Sequence, residues 1–182
     1  MKRIPWEVGE NKFTDAYVAG FFDGDGSLVA ILEKQSSKYS RTYRPRLRIN
    51  FTQHIRHSAM LDRLCDYLGA GHVRLYSSHE MAELVIQDRV DILRVLNKML
   101  PHLILKKNQV ILAIEVLLLI GENVRTNRIS DINYFKILEC VKKIRNLNSK
   151  SGGKKDFISL NPVTTSRLTR ESSQRSRDLS VS

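Results

Sequence analysis

The sequence AYVAGFFDGDGSLVA, residues 16–30, runs from an apolar helical pattern directly into an apolar strand pattern. Thr14 or Asp15 can cap the predicted helix, which carries Asp23 and Asp25 at its C-terminal end. The helix macrodipole disfavours negative charge at that end. The two acids therefore call for a physical explanation that bears on both fold and function.

Two simple explanations of the DGDG turn can be weighed first. Asp23, Asp25 and Ser27 match the first three ligand positions of an EF-hand calcium loop, but that loop also needs glycine at position six and glutamate at position twelve. Leu28 and Lys34 stand there, so this type of calcium loop is excluded. A glycine C-cap beside two solvated carboxylates remains open for the turn taken by itself.

The spacing of the earlier glycines favours a third explanation. Gly20 and Gly24 lie four residues apart on an apolar helix face that includes Tyr17 and Phe21, and small residues at this spacing let a second helix approach closely. Two copies packed about a two-fold axis would bring both carboxylate ends together. Like charges there are tolerable when hard cations lie between them, so the pattern predicts a homodimer that binds Mg²⁺.

The remaining pattern predicts an α+β domain. Residues 27–35 and 44–52 read as one strand pair, and residues 72–77 and 82–87 as a second. Helical spacing follows each pair, in residues 58–71, 89–100, 108–120 and from Ser130 or Asp131 onward. The order helix-strand-strand-helix-strand-strand-helix predicts an antiparallel sheet covered by helices.

Composition indicates a folded chain with a polyanionic partner. Of 182 residues, 42% are hydrophobic, which is enough for a core, and 30 Lys and Arg oppose 19 Asp and Glu for a net charge of +11. A generic basic surface is the competing interpretation.

Cys65 and Cys140 have no metal-binding or disulfide spacing and are predicted to be core thiols of an intracellular protein.

No membrane association is expected, because the longest apolar run, residues 110–120, is too short to span a bilayer and no secretory signal is visible. From about residue 149 the sequence becomes polar, serine-rich and basic. We therefore predict a domain over residues 1–148 and a tail over residues 149–182 that contacts DNA or is disordered.

Three segments in order carry a resemblance to a known family. YVAGFFDGDGS resembles the LAGLIDADG motif of homing endonucleases, FTQHIRHSAMLDRLCDYLGAGHVR resembles the segment after their first hairpin, and LPHLILKKNQ resembles their lysine-bearing loop. One motif per chain is typical of the homodimeric subgroup. The resemblance implies a saddle-shaped antiparallel sheet as the DNA-binding surface.

The resemblance also implies a set of catalytic residues. Asp25 is expected to bind the metal with help from the main-chain carbonyl of Gly24, while Asp23 takes a less critical place in which it caps or pairs. Gln53 is expected to position water, and Lys106 to lie near the scissile phosphate. The family's basic residue falls on His57 or its neighbour Arg56, and the sequence leaves the choice between them open.

The outward-facing residues of the two strand pairs are predicted to read the DNA major groove. They are Val29, Ile31, Glu33, Arg44, Arg46, Arg48 and Asn50 on the first pair, and His72, Arg74, Tyr76, Glu83, Val85 and Gln87 on the second. For the arginines, phosphate contact competes with base readout. The turn adds Gln35, Ser37 and Lys38 for outer bases, and the tail adds Lys150, Lys154 and Lys155 for the DNA backbone.

The sequence thus predicts a homodimeric, metal-dependent endonuclease for a long pseudo-palindromic DNA site, encoded within an intron. Tyr17, Gly20, Phe21 and Gly24 are the predicted dimer contacts. Mn²⁺ is expected to replace Mg²⁺, and Ca²⁺ to bind without supporting cleavage. The alternatives are an intron RNA maturase, a non-cleaving DNA-binding protein and a basic structural protein. The expected location is an organelle, chloroplast or mitochondrion, or an archaeal cytoplasm.

Overall fold

The structure is a computed structural model that describes residues 13–39, 41–121 and 128–148. Within these ranges the chain forms five helices and four strands, joined in places by single 3-10 turns. In chain order they are α1 (Asp15–Asp25), β1 (Gly26–Lys34), β2 (Tyr43–His54), α2 (Ser58–Leu68), β3 (His72–Tyr76), β4 (Met81–Ile86), α3 (Arg89–Met99), α4 (Lys107–Ile120) and α5 (Asp131–Leu147).

The strands form an antiparallel sheet in the order β1-β2-β4-β3. The register pairs Ala30 with Leu47, and Phe51 with Leu84, so apolar side chains of three strands share one face. These residues are buried and form the sheet side of the core, because alternate residues of a strand point to the same face. The predicted α+β class and its antiparallel sheet are confirmed.

Helix α1 is held by its buried face and by a cap at each end. Thr14 accepts a hydrogen bond from the Tyr17 backbone N–H at 3.1 Å, as its sequence position indicated. Val18 and Phe22 are fully buried, and the Phe22 ring packs against Phe51 with centroids 5.6 Å apart. A Cβ added to Gly26 would lie 2.7 Å from the Phe22 Cα, so the fold requires glycine where α1 turns into β1.

The start of α5 is tied to the turn end of the β1–β2 hairpin. Arg41 donates to the Ile129 carbonyl at 2.9 Å, and its guanidinium lies 4.5 Å from the centre of the Tyr134 ring. The Tyr134 hydroxyl in turn donates to the Tyr43 carbonyl at 2.9 Å. These contacts fix the hairpin relative to the helical layer.

The core of α5 differs from the simplest sequence pattern. Phe135 and Leu147, which stand in a series of apolar residues three apart, are 55% and 47% exposed. The middle of that series, Leu138, Val141 and Ile144, is buried, and its two ends are exposed because a spacing of three drifts around a helix of 3.6 residues per turn. Among the described residues, no helix combines the length and apolar character that a membrane span requires.

The described residues belong to a unit spanning Met1–Ser149. The predicted tail and its three DNA-contacting lysines, Lys150, Lys154 and Lys155, lie outside the described residues.

Candidate functional site

The Asp23 carboxylate anchors the loop before α4. It accepts backbone N–H bonds from Ile104 at 2.7 Å, Leu105 at 3.1 Å and Lys106 at 2.9 Å. Burial alone would raise the pKa of Asp23, but the three N–H donors and the nearby Lys106 ammonium outweigh it and hold that pKa below its ordinary value. The carboxylate of Asp23, the first acid of the turn, is therefore already engaged in hydrogen bonds within the fold.

The Lys106 side chain returns to the C-terminal end of α1. Its Nζ donates to the Phe22 carbonyl at 2.9 Å and also to the Asp23 carbonyl. Burial lowers the pKa of Lys106, while the negative charges of Asp23 and Asp25 act in the opposite direction. An ammonium at this helix end complements the macrodipole, which explains how acids are tolerated there.

Asp25, the second acid, faces solvent. Its carboxylate accepts a hydrogen bond from the Gln53 side-chain amide at 3.0 Å. Because Gln53 lies near the end of β2 and Asp25 ends α1, the helix-to-strand turn brings the two together. The exposed Asp25 carboxylate and the neighbouring Gly24 main-chain carbonyl are hard oxygen donors.

Arg56 and His57 follow in the 3-10 turn between β2 and α2, and they contact each other. The Arg56 Nε donates to His57 Nε2 at 3.2 Å, and the Arg56 backbone N–H donates to His54 Nδ1 at 3.1 Å. The pair therefore presents one guanidinium from the turn that follows β2, the strand that carries Gln53. Arg56 and His57, the two candidates for the family's basic residue, are therefore hydrogen-bonded neighbours.

Within residues 13–39, 41–121 and 128–148, no group of three or more His, Cys, Asp or Glu side chains is placed to hold a metal ion. One chain supplies the Asp25 carboxylate and the Gly24 main chain at the exposed helix end. These oxygen donors are of the type that divalent cations prefer. They are too few to complete a site, since Mg²⁺ takes six oxygen ligands including waters.

The outer face of the sheet is basic and mostly exposed. The structure leaves the following predicted side chains exposed or half-buried: Val29, Ile31, Glu33, Gln35, Ser37, Lys38, Arg44, Arg46, Arg48, His72, Arg74, Tyr76, Glu83 and Gln87.

The predicted exposure of Asn50 and Val85 is wrong. These side chains are 3% and 0% exposed. They pair with each other on β2 and β4, the two inner strands, and are flanked by Ser27 and His72 on the outer strands. Both side chains are buried, so neither offers an open edge to a ligand.

Several side chains on this face bind one another. Arg46 donates through Nε to Glu33 at 2.6 Å, and Arg74 donates through Nε to His72 at 2.8 Å. The face is therefore more ordered than a row of solvated cations.

The outer face of α1 is open. Tyr17 is 53% exposed, Phe21 is half-buried, and a Cβ added to Gly20 or Gly24 would meet nothing within 4 Å. Packing within the described chain therefore gives no reason for glycine at either position, in contrast to Gly26.

Comparison with known proteins agrees with this geometry. The sequence profile described as LAGLIDADG endonuclease matches residues 18–112, just over half of the chain. The chain belongs to the LAGLIDADG endonuclease family. The DNA endonuclease I-CreI of Chlamydomonas reinhardtii is 28% identical over 138 residues, which are 76% of this chain and 80% of I-CreI. The protein is accordingly a DNA endonuclease of a family that cuts DNA at specific sites.

Solved structures of LAGLIDADG homing endonucleases have the same fold. I-CvuI, in complex with the I-CreI target in 2 mM Mg with the DNA not cleaved, superposes with a TM-score of 0.65 at 25% identity, over 78% of this chain and 83% of I-CvuI. The meganuclease I-SmaMI bound to uncleavable DNA gives a TM-score of 0.62 at 22% identity, over 72% of this chain and 45% of I-SmaMI. The second likeness shows the fold alone.

Sequence reasoning missed how much of the LAGLIDADG turn serves the fold. It gave Asp23 a minor place, yet this carboxylate holds three consecutive N–H groups far away in sequence. It also missed the exposure of Ile104 and Leu105, which are 84% and 77% exposed. The sequence does contain a signal for this exposure. The apolar run LIL, residues 103–105, precedes the two lysines in a segment with no helical or strand periodicity.

Proposed function

We propose that this protein is a homodimeric, metal-dependent homing endonuclease that cuts both strands of a long, pseudo-palindromic DNA site. The observation that carries the proposal is the α1 end, where Asp25 is exposed and bonded to Gln53 while the adjoining helix face is bare. We infer that the biological role is the homing of the intron that encodes it.

The open face of α1 supports the dimer. Each glycine in a helix costs about 1 kcal/mol relative to alanine, and nothing in the described chain requires Gly20 or Gly24. Ile104 and Leu105, held beside the α1 end by Asp23, extend the uncovered apolar surface. Exposed apolar surface of this kind is typical of an interface. A second copy about a two-fold axis would bring the two Asp25 carboxylates together.

Gly20→Ala separates an interface role from a role within the chain. Alanine should stabilise an isolated chain by up to about 1 kcal/mol, because helix propensity rises and its methyl group meets no neighbour. The same methyl group should weaken the dimer in sedimentation experiments, since it lies where the helices approach. A variant that dimerises as well as the wild type would contradict this interface.

Asp25 and the Gly24 carbonyl of both copies would hold the divalent ions, for which we propose Mg²⁺ in the cell. Bound there, such ions activate water and stabilise the leaving oxygen of a phosphodiester. The I-CvuI complexes with DNA in the presence of Mg and of Ca support divalent ions in this family. We expect Mn²⁺ to support cleavage, and Ca²⁺ to bind without supporting it.

The chain's own groups then act around the phosphate. Gln53, fixed by its bond to Asp25, orients water on the attacking side. Lys106, held by the α1 carbonyls, places a cation where charge develops on the phosphoryl oxygens. The Arg56 guanidinium, bonded to His57, adds a second positive group. The exposed sheet face, with its row of arginines, would enter the major groove and read the site.

Selection of cleaved sites from a randomised double-stranded DNA library with Mg²⁺ tests this function. The expected winner is a long site with two related half-sites. An asymmetric winner would contradict the homodimer. A protein that enriches bound sites but never cuts them, with Mg²⁺ or Mn²⁺, would contradict cleavage and favour a binding module.

A further inference from the structure

Glu33 is an acid on a surface proposed to meet DNA. It lies on β1, with its side chain exposed on the same face as Arg44 and Arg46 of β2. A negative charge there weakens phosphate binding, which in proteins of this charge depends on Lys and Arg. An exposed ion pair is also worth only about 0–1 kcal/mol in stability. Neither backbone binding nor folding accounts for a glutamate at this position.

The sheet register makes the choice of partner informative. Glu33 stands directly opposite Arg44, whereas Ile31 stands opposite Arg46. The Glu33 carboxylate nevertheless binds the diagonal neighbour, accepting from Arg46 Nε at 2.6 Å. Among the described residues, Arg44 has no side-chain hydrogen bond or ion pair. Two arginines on one strand, two residues apart, are therefore held differently.

Occupation of Nε leaves both terminal nitrogens of Arg46 available. A guanidinium presents its two terminal N–H groups as a fork, and this fork matches the O6 and N7 acceptors of guanine. A carboxylate on Nε restricts the side chain before binding, so less conformational entropy is lost when the fork meets the base. Arg44, with no such restraint, suits a phosphate contact, which needs charge more than direction.

We propose that Glu33 positions Arg46 to read guanine, so that the Glu33–Arg46 pair determines the preference at one base pair of each half-site while Arg44 contacts the DNA backbone. This inference rests on the proposed function, since it needs the sheet to meet DNA. Glu33 acts as a positioning residue and Arg46 as the group that touches the base.

The experiment is enrichment of bound sequences from a randomised double-stranded library by the full chain, with Ca²⁺ in place of Mg²⁺. Arg46→Ala and Glu33→Ala should flatten the same guanine position, each by about ten-fold in preference, the scale of one bidentate contact. Arg44→Ala should keep every position and weaken binding evenly. Glu33→Ala should also raise affinity for random DNA, because it removes a negative charge from the surface that meets the phosphates.

The double variant gives the sharpest test. If the two residues act as one unit, adding Glu33→Ala to Arg46→Ala should change the base preference no further. A guanine position that survives Glu33→Ala would overturn the proposal, and so would one lost in Glu33→Ala but kept in Arg46→Ala. A wild type that enriches no position at all would instead overturn the site-specific binding on which the proposal rests.

Discussion

The inner and outer sides of the LAGLIDADG turn differ although one glycine separates them. On the inner side, Asp23 binds three backbone N–H groups of the loop before α4. On the outer side, Asp25 is exposed and accepts one bond, from Gln53. The same residue type therefore serves the fold at one position and remains available for a ligand at the other.

This difference shows that two acids of one motif, separated by a single residue, can have different structural environments. Asp23 determines where the Lys106 backbone lies, and Lys106 binds the carbonyls at the end of α1. Asp25 contributes little to these structural contacts. Substitutions at the two positions should consequently separate stability from cleavage.

Asp25→Asn is expected to give the largest effect. Under the proposed mechanism, cleavage should fall by about a thousand-fold, the scale of one electrostatic catalytic group, because the amide lacks the charge proposed to hold the cation. The free energy of unfolding should change by less than about 0.5 kcal/mol, since the carboxylate is exposed. Single-turnover cleavage and chemical denaturation measure the two quantities, and Asp15→Asn in the first turn of α1 serves as a control. Near-normal cleavage by the Asp25→Asn variant would contradict an active-site role for Asp25.

Lys106→Met should reduce cleavage by about a hundred-fold, because it removes the cation proposed to lie beside the reacting phosphate and keeps the aliphatic stem. Lys107→Met is the matched control, since Lys107 is exposed and loses the same charge. Its cleavage rate should stay within about two-fold at equal DNA saturation. If both variants lost cleavage activity equally, Lys106 would contribute only to the overall positive charge of the protein.

Asp23→Ala should lower the free energy of unfolding by about 2 kcal/mol, because three N–H groups lose a charged acceptor. Cleavage by the folded fraction should fall by about ten-fold as Lys106 loses its fixed backbone. Asp88→Ala is the matched control, since Asp88 accepts two backbone N–H bonds at the start of α3. It should cost similar stability and leave cleavage unchanged. If both variants cleave alike, Asp23 has no positioning role.

The smallest effect concerns acid stability. The pKa of Asp23 is lowered in the folded protein, so its contribution is fully present above the unfolded pKa of about 4 and is lost as pH falls through the folded value. Asp23→Asn should lack this contribution. The stability difference between wild type and variant, measured by urea denaturation at a series of pH values, should therefore shrink below pH about 4. A difference that stays constant would contradict the lowered pKa.

Local chemistry made most of the fold predictable. The hydroxyls of Thr14 and Ser130 cap helices where the sequence indicated, because N-cap preferences act within three residues. Strand alternation placed Leu47 and Arg46 on opposite faces of β2, since side-chain direction follows directly from the pleat. These features depend on near neighbours in the chain.

What the sequence could not give depends on distant contacts. Alternation assigns Asn50 and Val85 to the outer face, but it does not show that this row, which pairs across the two inner strands, is buried. Asp23 and its donors are about eighty residues apart, and no local rule relates them. Family resemblance suggested the residue types of the candidate site and different roles for its two acids, while the three N–H groups that Asp23 binds were visible only in the structure.

One strand carries both a residue proposed for DNA recognition and a residue proposed for the chemistry. Arg46 and Gln53 both belong to β2, seven residues apart, and an extended chain advances about 3.3 Å per residue. Arg46 and Gln53 are thus on the order of 23 Å apart along the strand, and the continuous backbone fixes this distance. Insertions or deletions in β2 would shift the spacing between cut and recognised bases, whereas changes in the β1–β2 turn would leave it intact.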